Sequence, residues 1–197
     1  FRDTIRDDRN NLVVNLNRNI KSQRSIHFVL GGDYSFRAVD RPFKFTAEVY
    51  YKKLDNLIPY EIDNVRIWYS GKNSSKGYTA GLDMKLFGQF VPGTDSWLSF
   101  SLMKAEEKMN GKMIPRPTEQ RYSIALFFQD YIPRLPKYKF NLRAIWSDGL
   151  PVGAPRLGRQ NGYFRSSPYR RVDIGASRLL VGGEDRIMRR GFFRHFK

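Results

Sequence analysis

The chain has 197 residues, of which 41% are hydrophobic and 15% aromatic, and a formal net charge of +16. No apolar run approaches the roughly 18 residues of a spanning helix, and with a mean hydropathy of -0.56 a helical membrane protein is excluded. Cysteine is absent, which removes disulfides, thiolate metal sites and cysteine nucleophiles together.

Residues 1–23 are basic (Arg2, Arg6, Arg9, Arg18, Lys21) and show no sustained alternation, so a loop is expected there. A first strand is expected over 26–36, where Ile26, Phe28, Leu30, Tyr34 and Phe36 share one parity. Over 41–54 the pattern is clearest. Phe43, Phe45, Ala47, Val49 and Tyr51 alternate with Lys44, Thr46, Glu48, Tyr50 and Lys52, the period of two that gives a strand two unlike faces. Residues 78–86 place Tyr78, Ala80, Leu82, Met84 and Leu86 opposite Thr79, Gly81, Asp83 and Lys85. Residues 138–146 place Tyr138, Phe140, Leu142, Ala144 and Trp146 opposite Lys139, Asn141, Arg143 and Ile145. Weaker alternation over 98–102, 122–128 and 172–176 completes an expectation of seven strands and no helix. Gly31 and Gly32 fall inside the first strand, where they ease curvature or a bulge.

The links between these strands alternate in length. Residues 38–41, 91–95 and 132–137 are short and carry the Pro, Gly or Asp of tight turns; residues 55–77, 104–119 and 148–168 are long. An antiparallel meander with short connections on one side and long ones on the other is the pattern of an outer-membrane β-barrel. A strand of about 12 residues, tilted by about 45°, spans roughly 28 Å of membrane. Phe36, Phe43, Phe90, Trp97, Tyr131 and Tyr138 flank the short turns, as an interfacial girdle requires. Trp97 and Tyr131 are off the parity of their own strands, which a bulge or a position beyond the band would explain. A packed β-sandwich is the competing fold. Against it, the apolar parity includes small residues (Ala47, Ala80, Ala144), and the other parity carries Glu48, Lys52, Asp83, Lys85, Asn141, Arg143 and Asp173, as a hydrated lumen would.

The positive charge raises nucleic-acid binding as an alternative. Its distribution argues against this, because the basic residues collect in the first segment, over 156–171 and in the tail, in expected loops and ends. Lys and Arg are absent from the alternating apolar positions over 43–51, 78–86 and 138–146. A soluble basic β-domain is therefore the least favoured reading, and no nucleic-acid partner is expected.

Several stretches in order resemble the TonB-dependent outer-membrane receptors, in particular the branch with a carboxypeptidase-like regulatory domain. They are DNLIPYEIDNVRIWY (55–69), GYTAGLDMKLFGQFVPGTDSWLSFSLMKA (77–105), IPRPTEQRYSIALFFQDYIP (114–133), GLPVGAP (149–155) and YRRVDIGAS (169–177). The resemblance implies an all-β segment of a barrel of about 22 strands, with an N-terminal plug and TonB-docking segment elsewhere in the protein. It also implies import of an unidentified nutrient ligand across the outer membrane of a Gram-negative bacterium, with TonB as the energising partner. A passive porin or adhesin barrel is the alternative. Residues 24–180 are then wall strands and outer loops, residues 1–23 an outer loop segment, and residues 181–197 a basic periplasmic turn before further strands. The chain, which begins at Phe1, is expected to be a processed product or fragment.

No cofactor or metal motif is visible, and neither is a catalytic constellation. Asp63, Asp83, Asp130 and Asp173 are scattered over different strands. His27, with the parity of Ser25, is expected as a structural lumen residue, and His195 lies in the basic tail. What remains is binding at the long loops. Tyr60, Trp68, Tyr69, Tyr163, Phe164 and Tyr169 are candidates to stack on a ligand, or to pack the loops, with Arg170 beside them. Arg156, Arg159, Arg165, Arg170 and Arg171 are candidates to meet lipopolysaccharide phosphates, and outer-membrane lipid would cover the wall.

Overall fold

The computed structural model describes residues 3–7, 12–16, 19–63, 66–132, 135–154 and 158–180. Among them are fourteen strands and no helix: β1 (Asp3–Asp7), β2 (Leu12–Leu16), β3 (Arg24–Ala38), β4 (Arg41–Leu57), β5 (Tyr60–Asp63), β6 (Arg66–Tyr69), β7 (Ser75–Val91), β8 (Thr94–Met109), β9 (Lys112–Pro115), β10 (Tyr122–Ile132), β11 (Leu135–Ser147), β12 (Pro151–Gly153), β13 (Tyr163–Arg165) and β14 (Tyr169–Arg178). Seven of them form one antiparallel meander in the order β14-β11-β10-β8-β7-β4-β3, and β9 pairs on the end of β8. All seven strands expected from the alternation are present. The basic tail from residue 181 lies outside the described residues.

Register explains why this sheet has two unlike faces, since paired residues share a face. One row runs Gly32, Ala47, Met84, Phe100, Ile124, Trp146, Arg170. The next row on the same face runs Tyr34, Phe45, Leu86, Leu98, Leu126, Ala144, Val172. Between them, on the other face, lies Asp33, Thr46, Lys85, Ser99, Ala125, Ile145, Arg171. The rows climb across the strands: Tyr34 stands near the short-turn end of β3, whereas its row ends at Val172, near the long-loop end of β14. Such stagger is the shear of a tilted barrel wall.

The apolar face is uncovered. Leu30 is 80% exposed, Val49 56% and Ile174 78%, and among the described residues no second sheet lies over them. A sandwich would bury this face about 10 Å from its partner sheet. Aromatics border it at both ends. Tyr34, Phe36 and Phe43 stack in succession, with Phe90 edge-on to Phe43, at the short-turn rim. Tyr51 stacks on Tyr78, and Tyr122 meets Trp146 edge-on, at the long-loop rim. From Tyr138 to Trp146 a strand climbs roughly 27 Å at ~3.4 Å per residue, or about 20 Å along the normal at a barrel tilt.

Trp97 and Tyr131 depart from the girdle expectation. β8 pairs with β10 without a break from Leu102 to Trp97, so no bulge turns Trp97 outward. Both side chains lie on the polar face. Trp97 packs on Phe127 under Lys85, and Tyr131 lies under Lys139, so the off-parity aromatics support cations instead of an interface.

The connections are tighter than the sequence suggested. Val39 and Asp40 close β3–β4 with φ of 52° and 57°, a two-residue turn with both central residues left-handed. Pro92-Gly93 closes β7–β8, with Gly93 at φ 76°. Leu135 already pairs with Ile132, shortening the third turn. The long link expected over 104–119 is largely strand. β8 continues to Met109, turns at Asn110-Gly111 (φ 48° and 85°) and returns as β9. Likewise β4 runs on to Leu57, and the links beyond hold the hairpins β5–β6 and β12–β13. β1 and β2 form a further hairpin within residues 1–23.

The core sits at the ends of the wall. Leu54, Leu57, Ala105, Met109 and Ile114 are buried at the long-loop rim, together with Ser75, Glu107, Glu119, Ser147, Asp148 and Arg159. At the other rim, Thr94 and Ser96 are buried where the β8–β10 ladder ends. Ser96 Oγ accepts the Gln129 N–H at 3.0 Å and Thr94 Oγ1 donates to the Gln129 carbonyl at 3.0 Å, replacing the missing backbone pairs.

Candidate ligand-binding surface at the long-loop rim

The loops are tied together by buried charge. Arg159 is 5% exposed and Glu107 1%. Arg159 donates to Glu107 Oε1 at 2.5 Å, twice to the Tyr60 carbonyl at 2.8 and 3.1 Å, and its guanidinium lies 5.2 Å from the centre of the Tyr60 ring. Burial is the main reason the Tyr60 phenol is pushed above its ordinary pKa. One residue thereby connects the β12–β13 link, β8 and the start of β5. A charge this deep is tolerated only because it is paired and its N–H groups are satisfied.

A second cluster lies beside it. Arg121 grips Asp148 with Nε at 2.6 Å and Nη2 at 3.2 Å, the fork-to-fork contact of a guanidinium and a carboxylate. This hydrogen bond holds the Asp148 carboxyl below the usual carboxylate range, against the opposing effect of its burial. Arg165 donates to Asp148 at 3.2 Å and also bonds Glu119, whose other oxygen accepts the Ala105 N–H at 3.1 Å. Gly149 is required here: a Cβ would stand 1.7 Å from the Ser166 carbonyl oxygen. Asn110, at the β8–β9 tip, donates to Gln160 at 2.8 Å and closes the layer.

On this base the candidate aromatics separate into groups. Tyr60 and Tyr69 face each other across β5–β6, ring centroids 5.8 Å apart, with Tyr60 half-buried and Tyr69 exposed. Trp68 pairs with Glu61 in the same hairpin. Tyr163 and Phe164 are exposed on β13, and Tyr169 is exposed at the head of β14 opposite Ser147. Arg170 stands apart from all of them, on the apolar wall face, with its guanidinium 5.3 Å from the centre of the Trp146 ring. Beside this ion-paired base, Tyr69, Tyr163, Phe164 and Tyr169 are exposed to solvent, and exposed aromatic faces can stack on a planar or saccharide group.

The basic residues expected to meet phosphate mostly do something else. Arg159 and Arg165 are consumed by Glu107, Glu119 and Asp148, and Arg171 pairs with Asp173 at 2.9 Å. Arg156 lies outside the described residues. Nothing local in the sequence marks the carboxylates that hold these arginines, although Asn110-Gly111, a strong hairpin signal, marks β8 as running on through Glu107. His27 Nε2 lies 2.6 Å from Ser25 Oγ on the exposed polar face, opposite Lys52.

The model of the family described as TonB dependent receptor-like, beta-barrel matches residues 1–179. No curated protein and no solved structure matches the chain. With its two-faced, sheared meander and aromatic rims, the chain belongs to the β-barrel family of TonB-dependent receptors, transporters of the Gram-negative outer membrane.

Proposed function

We propose that this chain supplies wall strands and outer loops of an energised importer, in which a nutrient ligand binds at the long-loop rim and TonB, acting through a plug elsewhere in the protein, drives its passage. The observation that carries this reading is the continuous apolar face of the meander, bordered by aromatics at both rims and backed by a polar face. The short turns are then periplasmic and the long loops external, with the β1–β2 hairpin part of an outer loop. β3 and β14 each have one neighbour among the described residues. Since an open edge in lipid leaves backbone groups unsatisfied at several kcal/mol each, further strands of the same barrel cover them. The stretches over 55–69, 77–105, 114–133, 149–155 and 169–177, taken together and in order, support the branch with a carboxypeptidase-like regulatory domain.

The test is uptake of fluorescently labelled oligosaccharides and peptides by cells expressing the complete reading frame in a host stripped of its own receptors. Import that stops when a protonophore collapses the inner-membrane gradient supports the proposal. Flux that continues undiminished marks a passive channel instead.

A further inference from the structure

On the apolar face an open trough of about 460 Å³ runs across β8, β10, β11 and β14, climbing from Leu98 to the long-loop rim at Trp146 and Arg170. Its floor is apolar: Leu98, Leu126, Ala144 and Val172 follow one another across the four strands in a single row. Ala144 creates the hollow, because its methyl group stands between the longer Leu126 and Val172. Trp146 and Arg170, paired in register, close the upper end.

Arg170 is chemically out of place on this face. Among the described residues no carboxylate pairs with it, whereas its neighbour Arg171, on the opposite face, is held by Asp173 through Nε contacts of 2.9 Å. A guanidinium at the edge of an apolar band without an anion is costly. Its guanidinium stands 5.3 Å from the centre of the Trp146 ring, and the planar fork of an arginine matches the paired oxygens of a phosphate. Tyr122, edge-on to Trp146 at 6.2 Å, buttresses the indole.

We infer that this trough is a lipid site that seats one acyl chain of a phosphorylated glycolipid of the lipid A type over Ala144, with a headgroup phosphate on Arg170. The apolar floor takes the chain, and Arg170, which among the described residues lining the trough is the cation without a carboxylate, takes the anion. The inference rests on the reading of the sheet as a membrane wall with its long loops outward, which puts Arg170 in the outer leaflet, where phosphorylated glycolipid is the anionic lipid.

The experiment uses the receptor expressed from its complete reading frame, extracted from outer membranes and stripped of lipid. Recovery in the outer-membrane fraction with heat-modifiable electrophoretic mobility is checked first, so a failure of the wall reading is seen separately from a failure of the lipid site. Purified hexa-acylated, bisphosphorylated lipid A is then titrated in detergent and bound lipid counted by native mass spectrometry. Arg170→Gln is expected to weaken retention about tenfold, as loss of a charge-assisted fork contact would. Arg170→Lys should recover part of that loss and Arg171→Gln should bind like wild type. Ala144→Phe, which fills the trough and leaves the charge untouched, should weaken binding as well. Unchanged binding by Arg170→Gln, an equal loss in Arg171→Gln, or equally tight retention of phosphatidylglycerol would each overturn the assignment.

Discussion

Glu107 and Arg159 stand 52 positions apart in the chain and meet inside the loop layer, Nη2 to Oε1 at 2.5 Å, both side chains closed off from solvent. Because each neutralises the other in a dry setting, removing one strands the other. Arg159→Ala is expected to cost the loop layer about 3–5 kcal/mol, whereas a matched apolar pair at both positions should be close to neutral. Hydrogen exchange followed by mass spectrometry in the intact receptor checks this. Protection over 112–115 and 158–165 should fall in the single variant, while β4 and β7 keep theirs.

The second cluster titrates. The Asp148 carboxyl has its pKa depressed by Arg121, so its contribution is fully present above the unfolded carboxylate value of about 4 and is lost as pH falls through the lower folded value. Limited proteolysis of the loop over 148–166 should therefore be flat from neutral pH down to about 5 and accelerate only below about 4. Asp148→Asn should cleave faster at neutral pH and lose the acid step; an unchanged acid step would assign it to another group.

How far the sequence could be read depended on range. β4, β7 and β11 were legible because a period of two is written along a single strand, and β8, β10 and β14 were found from only a few such residues. The ends were harder. β8 runs to Met109 because Asn110-Gly111 permits a tight turn, yet the charged residues before that turn read as loop. Arg159 and Glu107 were invisible as a pair, since nothing local in a sequence marks which charges meet across 52 positions. Trp97 broke parity because it serves the polar face, packed against Phe127 beneath Lys85. Arg170 and Arg171 looked equivalent side by side, and only strand geometry sends them to opposite faces.

The exposed aromatics should matter for ligand and little for stability. Alanine at Tyr69, Phe164 or Tyr169 is expected to lower ligand affinity by about fivefold each, the scale of one lost stacking contact of ~1 kcal/mol. Concentration-dependent uptake measures this, with barrel assembly followed by heat-modifiable mobility. Loss of uptake accompanied by loss of assembly would make them packing residues instead.

Val39 holds a left-handed backbone, φ 52°, at the β3–β4 turn, a conformation a β-branched residue adopts only under strain. Val39→Asn, with the type of residue that tolerates this turn, should stabilise the hairpin by about 0.5–1 kcal/mol. Urea unfolding of the receptor in lipid vesicles should show a higher midpoint; a lower one would indicate that Val39 packs against something in the assembled barrel.

The central claim is that alternate residues of the meander meet lipid and water. The chain has no cysteine, so single cysteines can be placed at Leu98, Ser99, Phe100, Ser101 and Leu102 of β8 in the assembled receptor. Each is spin-labelled and its collision rate measured with oxygen, which concentrates in lipid, and with a water-soluble nickel chelate. The account predicts that 98, 100 and 102 favour oxygen and that 99 and 101 do not, a period of two in phase with the apolar row. Chelate access at 98, 100 and 102 equal to that of a water-exposed loop site would contradict it.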